Sequence, residues 1–306
     1  MEEIIGFNNN AGQKLYGVLH SPEPGNTVKR SLVIMLNSGL LDRVGPHRLY
    51  VKIARMLCRQ GFYVFRFDSH GLGHSEGELV SGPSVLNFVK IENGFFVEDV
   101  LGAINFLSQK IDPDKIFMTG LCGGGVTSLL AADIDKRISG VISLDPPVYL
   151  DSAQEDYDVN PLAAMMALES PLKKIFNLKY WLKLVTFKIN PLKLGQMVFM
   201  VIKEKTRKKE GRDKEEGFGR PLNRKFVNAF TSYVASKRNI LFITGQNDFV
   251  AKEFKYKFQN RYLTGKNKEW FEVLSVVNAN HEFHSLDSQQ VLLEKISNWL
   301  AIQNNR

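Results

Sequence analysis

Ile116-Phe117-Met118-Thr119-Gly120-Leu121-Cys122-Gly123-Gly124-Gly125-Val126 is the stretch on which the fold turns. Residues suited to a buried strand run into a glycine, a cysteine stands two positions later, and a helix-compatible stretch continues to Ala132. This is the form G-x-[Ser/Cys]-x-G in a strand, turn, helix context, which presents a nucleophilic side chain at the end of a sheet. A residue on so sharp a turn has strained backbone angles, and its neighbours must lack side chains for strand and helix to close on each other. The glycine after the cysteine leaves its amide free to point at a substrate. The sulfur stands at the first turn of a helix, where the dipole and free N–H groups favour a thiolate. The competing reading is a plain glycine-rich turn or a phosphate loop. No Gly-Lys-Ser/Thr follows, so the nucleotide version has little support.

Outward from this stretch, short β-branched or aromatic runs alternate with helical patterns, the order expected of a parallel sheet with helices on both faces. Residues 31–36 and 62–67 read as buried strands around a helix at 47–60, whose Tyr50, Ile53, Ala54 and Leu57 share one face and which Gly61 stops. A helix at 95–109 leads into the strand at 115–119, and a strand at 141–144 follows the helix after Cys122. Later come strands at 240–244 and 270–276, a helix near 252–262 between them, and a last helix at 288–302 with Leu292, Ile296, Trp299 and Leu300 as its buried stripe. Residues 3–7 and 14–19 form an antiparallel hairpin pattern at one edge. The expectation is an α/β fold with a mostly parallel, eight-stranded sheet. Residues 148–238 break the alternation and read as an inserted helical cap between core segments 1–147 and 239–306.

With 306 residues, 44% of them apolar, the chain can bury one large core and carry a small subdomain besides. Its net charge of +8 is unevenly placed: residues 151–238 hold 18 Lys and Arg against 10 Asp and Glu, and the two signs balance elsewhere. That asymmetry fits an acidic partner, an anionic membrane surface or a well-solvated exposed face. No reader motif and no basic surface outside this segment point to nucleic acid. Two cysteines are too few for a disulfide framework. Cys58 lies on a helical apolar pattern and reads as a buried, inert thiol. Residues 1–10 lack a basic region and an apolar stretch, and nothing later approaches the roughly 18 apolar residues of a membrane span, so a cytoplasmic protein is expected.

A nucleophile on such a turn needs an acid and a histidine, in that chain order and each just after a strand. The strand at 240–244 ends in Gly245-Gln246-Asn247-Asp248, and that at 270–276 leads to Asn278-Ala279-Asn280-His281. Asp248 is expected to orient the imidazole of His281, which removes the thiol proton of Cys122 and later protonates the leaving group. Asp145, after the preceding strand, is a rival acid, and His284 a rival to His281. Taking His281 and His284 as metal ligands finds no completing cluster, so neither metal nor cofactor is expected. For the oxyanion, the Gly123 amide pairs with that of Gly39 or Leu40, in the loop after the third strand. Asn37 is a further donor to substrate, Arg43 a contact for a polar group, and Met165 and Met166 in the cap suit an apolar acyl chain.

Elbow, strand-end acid and terminal histidine together resemble the α/β-hydrolase superfamily over nearly the whole chain apart from the cap. Asp68-Ser69-His70-Gly71-Leu72-Gly73-His74-Ser75 resembles the D-x-x-G-x-G-x-S loop of its esterase, lipase and serine aminopeptidase-like members. More narrowly, Asn37-Ser38-Gly39, the stretch from Arg43 to Tyr50 and Gly120-Leu121-Cys122 resemble hydrolases encoded beside exosortase and exopolysaccharide systems, which share cysteine at the elbow. This sequence departs from them in having Gly123 where an acidic residue often follows the cysteine, and from the wider superfamily in having Asn37-Ser38 where His-Gly is common. The resemblance implies attack on an ester or thioester of a small-molecule acyl substrate, lipid-like or carrier-bound, through an acyl-enzyme. Acyl transfer by the same intermediate, or a silent ligand-binding homologue, are the alternatives.

Overall fold

A computed structural model describes residues 1–22, 28–82, 84–150 and 222–306, without the side chain of residue 266. The chain divides into two compact units, one of Met1–Leu150 with Asn223–Arg306 and one of Asp151–Leu222. The first holds the sheet. Its strands are β1 (Glu2–Asn8), β2 (Lys14–His20), β3 (Ser31–Leu36), β4 (Tyr63–Phe67), β5 (Lys115–Leu121), β6 (Ile138–Leu144), β7 (Asn239–Gly245) and β8 (Phe271–Val276). They lie in the order β1-β2-β4-β3-β5-β6-β7-β8. The β1 hairpin joins β4 antiparallel, and every pair from β4 to β8 is parallel. This is the α/β-hydrolase fold with the eight-stranded, mostly parallel sheet the sequence led us to expect.

The central strands are buried on both faces, which is why residues 32–36 of β3 and 240–243 of β7 are unbroken apolar runs instead of alternating ones. Helix α1 (Leu49–Arg59) and the long carboxyl-terminal helix (Leu286–Asn305) cover one face. Tyr50, Ile53, Leu57, Ile296, Trp299 and Leu300 pack there on Phe117, Ile142 and Leu241, and Cys58 is buried in the same core. Between these two helices in the chain come α2 (Ser84–Glu92), α3 (Val97–Ile111), α4 (Gly123–Ile134) and α5 (Arg224–Ala235). Phe226 and Phe230 of α5 meet Phe258 edge to face and Phe242 of β7 at a tilt.

Two expectations are corrected here. Helix α1 begins at Leu49, not at residue 47, because His47 and Arg48 both take positive φ (51° and 58°) after Gly45-Pro46. Residues 223–238, assigned from sequence to the insertion, belong to the sheet-bearing unit: α5 closes over β7, and the Asn223 amide group donates to the Glu92 carbonyl at 2.8 Å. The remainder of the expected cap, residues 151–221, lies outside the described residues. Among the described residues no helix is long and apolar enough to cross a membrane.

Register sets where chemistry can gather. Leu36 is level with Gly120, Leu121 with Leu144, and Gly245 with Val276, so β3, β5, β6, β7 and β8 end along one edge. The residues just past those ends converge in the crevice where open α/β sheets place their ligands.

Candidate active site

Cys122 stands between β5 and α4 with φ 57° and ψ −125°, a conformation that a non-glycine residue adopts only when its surroundings impose it. Three hydrogen bonds do so. The Cys122 amide donates to the Leu144 carbonyl at 2.9 Å, the Leu121 amide to the Tyr50 hydroxyl at 2.8 Å, and that hydroxyl to the Leu36 carbonyl at 2.7 Å. The glycines are steric requirements. A Cβ on Gly120 would stand 2.4 Å from the backbone of Gly124, and one on Gly124 would stand 2.5 Å from the Asn37 carbonyl oxygen. Tyr50 is the residue the sequence reading missed: its ring fits the apolar stripe of α1, and nothing local marks the use of its hydroxyl.

Asp248 caps the short helix Phe249–Glu253, its Oδ2 accepting from the Ala251 amide at 3.3 Å. The same oxygen lies 2.9 Å from Nδ1 of His281. The loop carrying His281 is anchored on both sides of the ring, by Ala279 and Phe283, which are buried in the core beside Trp299. The Asn247 amide donates to the Ala279 carbonyl at 2.8 Å, tying the acid's loop to the histidine's. Cys122 is the other group that acts on the ring, favouring its charged form together with Asp248. Burial of the ring opposes its charged form. The hydrogen bonds to Asp248 and Cys122 and the charges of both outweigh it, and the His281 pKa is pushed up to about 11. His284, the rival, is exposed, with its ring 6.4 Å from that of His47. His47 in turn meets Glu282 at 3.1 Å, a cross-link to the histidine loop that no sequence pattern signalled.

Asp145, the rival acid, is fully buried at the end of β6, and both its oxygens accept from the Gly245 amide at 3.0 Å. One atom each of Asp145, Asp248 and His281 lie within 4.8 Å of one another. They are the group among the described residues whose spacing fits a metal ion, but Asp248 and Nδ1 of His281 already engage each other.

Gly39 stands beside the elbow: its amide nitrogen is 3.8 Å from where a Cβ on Gly123 would be. The turn that starts at Ser38 is closed by the Leu41 amide at 3.1 Å, which leaves the Gly39 and Leu40 amides out of that bond. Asn37 and Arg43 are engaged elsewhere than expected. Asn37 is buried, accepts from the Ser69 amide at 3.0 Å and donates to the Leu41 carbonyl at 3.0 Å, so it shapes the loop. The Arg43 guanidinium is paired with the buried carboxylate of Asp68 and stands 3.3 Å from Nδ1 of His74. Met165 and Met166 lie outside the described residues.

Fold and site together define an α/β-hydrolase with a cysteine at the elbow. The chain belongs to the Hydrolase_4 family, serine aminopeptidase S33, whose model matches residues 29–197. It is 29% identical over 129 residues to the polyketide transferase af380 of Aspergillus fumigatus, covering 42% of this chain and 41% of that protein. To the thiohydrolase aneE of Aspergillus aculeatus it is 32% identical over 95 residues, covering 30% and 27%. Both matches thus span less than half of either relative. Among solved structures, the Pyrococcus furiosus esterase Pf2001 superposes with a TM-score of 0.61 at 16% identity, over 98% of this chain and 90% of that one.

Proposed function

We propose that the protein hydrolyses a carboxylic ester or thioester through an acyl-enzyme on Cys122. The observation that carries this reading is the single ring of His281, held through Nδ1 by Asp248 and drawn to its charged form by Cys122 as well. With Nδ1 held by Asp248, Nε2 is the nitrogen left for the thiol. The ring already holds the thiol's proton opposite the sulfur and keeps it as Sγ attacks the carbonyl carbon, and the oxygen of the tetrahedral intermediate is met by the amides of Gly123 and of Gly39 or Leu40. Collapse breaks the bond to the leaving alcohol or thiol, which departs with the proton from His281. Water, deprotonated by the same ring, then attacks the thioester and returns the sulfur as a thiolate.

Acyl transfer, in which an alcohol, amine or thiol replaces that water, is the second reading. The similarity to a polyketide transferase favours it, and that to a thiohydrolase favours hydrolysis of a thioester. The narrower resemblance to cysteine-bearing hydrolases beside exosortase systems agrees with Cys122 as nucleophile. The basic residues of 151–238 are taken to meet an anionic surface, a carrier protein before a membrane, and Met165 and Met166 to contact the acyl chain.

Incubation with p-nitrophenyl butyrate followed by peptide mass spectrometry tests the proposal. A butyryl group on Cys122, absent from Cys122→Ala, is expected. A wild-type protein that releases no nitrophenol and carries no acyl group would leave a silent ligand-binding homologue as the better description.

A further inference from the structure

Asp145 is a buried ionisable group that the mechanism above does not use. It follows β6, directly between the strands that end at Cys122 and at Asp248, and its backbone takes φ 39°. No part of it is exposed, and one amide, that of Gly245, serves both oxygens at 3.0 Å. A carboxylate so enclosed needs a cation or several donors to stay charged. The cation within reach is the His281 ring, which Asp248 already holds at 2.9 Å. Two carboxyl groups facing one imidazolium cannot both ionise without cost, and the more deeply buried one yields. Burial first, and then the charge of Asp248, hold the Asp145 carboxyl well above the usual carboxylate range, against the pull of His281 and the Gly245 amide.

We infer that Asp145 and Asp248 hold one negative charge between them opposite His281, with Asp145 a positioning residue that is neutral beside Asp248 and takes up the charge when Asp248 is lost. The inference rests on the proposed role of His281 for its effect on rate, but not for its effect on the ring. The pair behaves as one titrating unit, so neither single substitution reports its full contribution. Cys122 and the Gly245 amide are the other groups at this point of the sheet edge, and His47 and Glu282 lie outside it in solvent.

Asp145→Asn, Asp248→Asn and the double variant decide the matter. Asparagine keeps an oxygen for the Gly245 amide, so the fold is expected to survive; circular dichroism checks it. Two readouts are taken: the rate of Cys122 acylation, and histidine NMR titration of the His281 ring. Asp145→Asn is expected to acylate within about threefold of wild type, Asp248→Asn to lose about 10- to 30-fold, and the double variant a further hundredfold or so. In both single variants the ring is expected to stay an imidazolium at about pH 8, and in the double variant to be neutral there. A double variant whose ring titrates like that of Asp248→Asn overturns the inference. The titration needs no turnover, so it decides the pair even in a protein that acylates on no ester, whereas a missing acyl group on wild-type Cys122 counts against the ester reading alone.

Discussion

A sulfur and an oxygen at the same turn are not equivalent. Deprotonating a serine hydroxyl is far harder than deprotonating a thiol, and the shorter C–O bond draws the nucleophile back from the carbonyl. Cys122→Ser is therefore expected to acylate at least about 100-fold more slowly than wild type, measured as the burst with an activated ester. The ring responds as well. Two of the causes that raise the His281 pKa to about 11 come from Cys122, its hydrogen bond and its charge, and serine supplies no such charge near neutrality. The imidazolium of the serine variant should be lost at a lower pH than that of wild type, which histidine NMR reads directly. An unchanged titration would mean that Asp248 alone sets the ring. At this scale Cys122, Asp248 and His281 were legible because a strand-end motif and chain order specify them without coordinates. Asp145 was legible only as an alternative to Asp248, because whether two strand-end carboxylates compete or cooperate depends on a spacing that sequence does not carry. The partners of Asn37 and Arg43, Ser69 and Asp68, are hidden from sequence for a related reason: they lie at a neighbouring strand end.

Elements were easiest to read where burial was complete and hardest where a turn decided the boundary. Strand β3 is apolar at every position after Ser31 and announces itself. Helix α1 starts two residues late because a glycine-proline pair sets up left-handed residues that its apolar spacing does not reveal. Helix α2 went unnoticed, since much of its apolar surface is only half-buried and its pattern is weak. Helix α5 reads from sequence as part of the insertion because no strand-like pattern precedes it in the sequence, although its Phe226, Phe230 and Tyr233 form a buried face. What aligns these elements at the site is the Tyr50 hydroxyl, which joins α1, the end of β3 and the end of β5. Tyr50→Phe keeps the ring and leaves the Leu121 amide and the Leu36 carbonyl with one partner fewer in a dry interior. A loss of about 1–3 kcal/mol is expected, read as a lower melting temperature. Because the elbow hangs from the same bond, acylation of Cys122 should slow by roughly tenfold in the folded variant. Equal melting and equal acylation would show that the three elements hold their register without it.

Across the whole molecule, the sheet order brings residues 122, 145, 248 and 281 to one edge, and the sheet-bearing unit is closed over by residues from both ends of the chain. That much follows from alternating strands and helices. The excess positive charge has a different address: it lies between residues 151 and 238, where 18 basic residues stand against 10 acidic ones. Charge confined to one segment of an otherwise balanced chain acts chiefly on encounter with a partner of opposite sign, and salt weakens it over a Debye length of about 10 Å at 0.1 M. A small neutral ester gains nothing from such a field, whereas an acyl group on an acidic carrier protein does. Comparing kcat/KM for p-nitrophenyl butyrate and for a butyryl thioester on an acidic carrier, between about 0.05 M and 0.5 M salt, separates the two cases. The carrier substrate is expected to lose about tenfold or more across that range while the free ester changes by less than about twofold. If the two respond alike, the basic segment is a solvated surface, and the acyl group reaches Cys122 as a free small molecule.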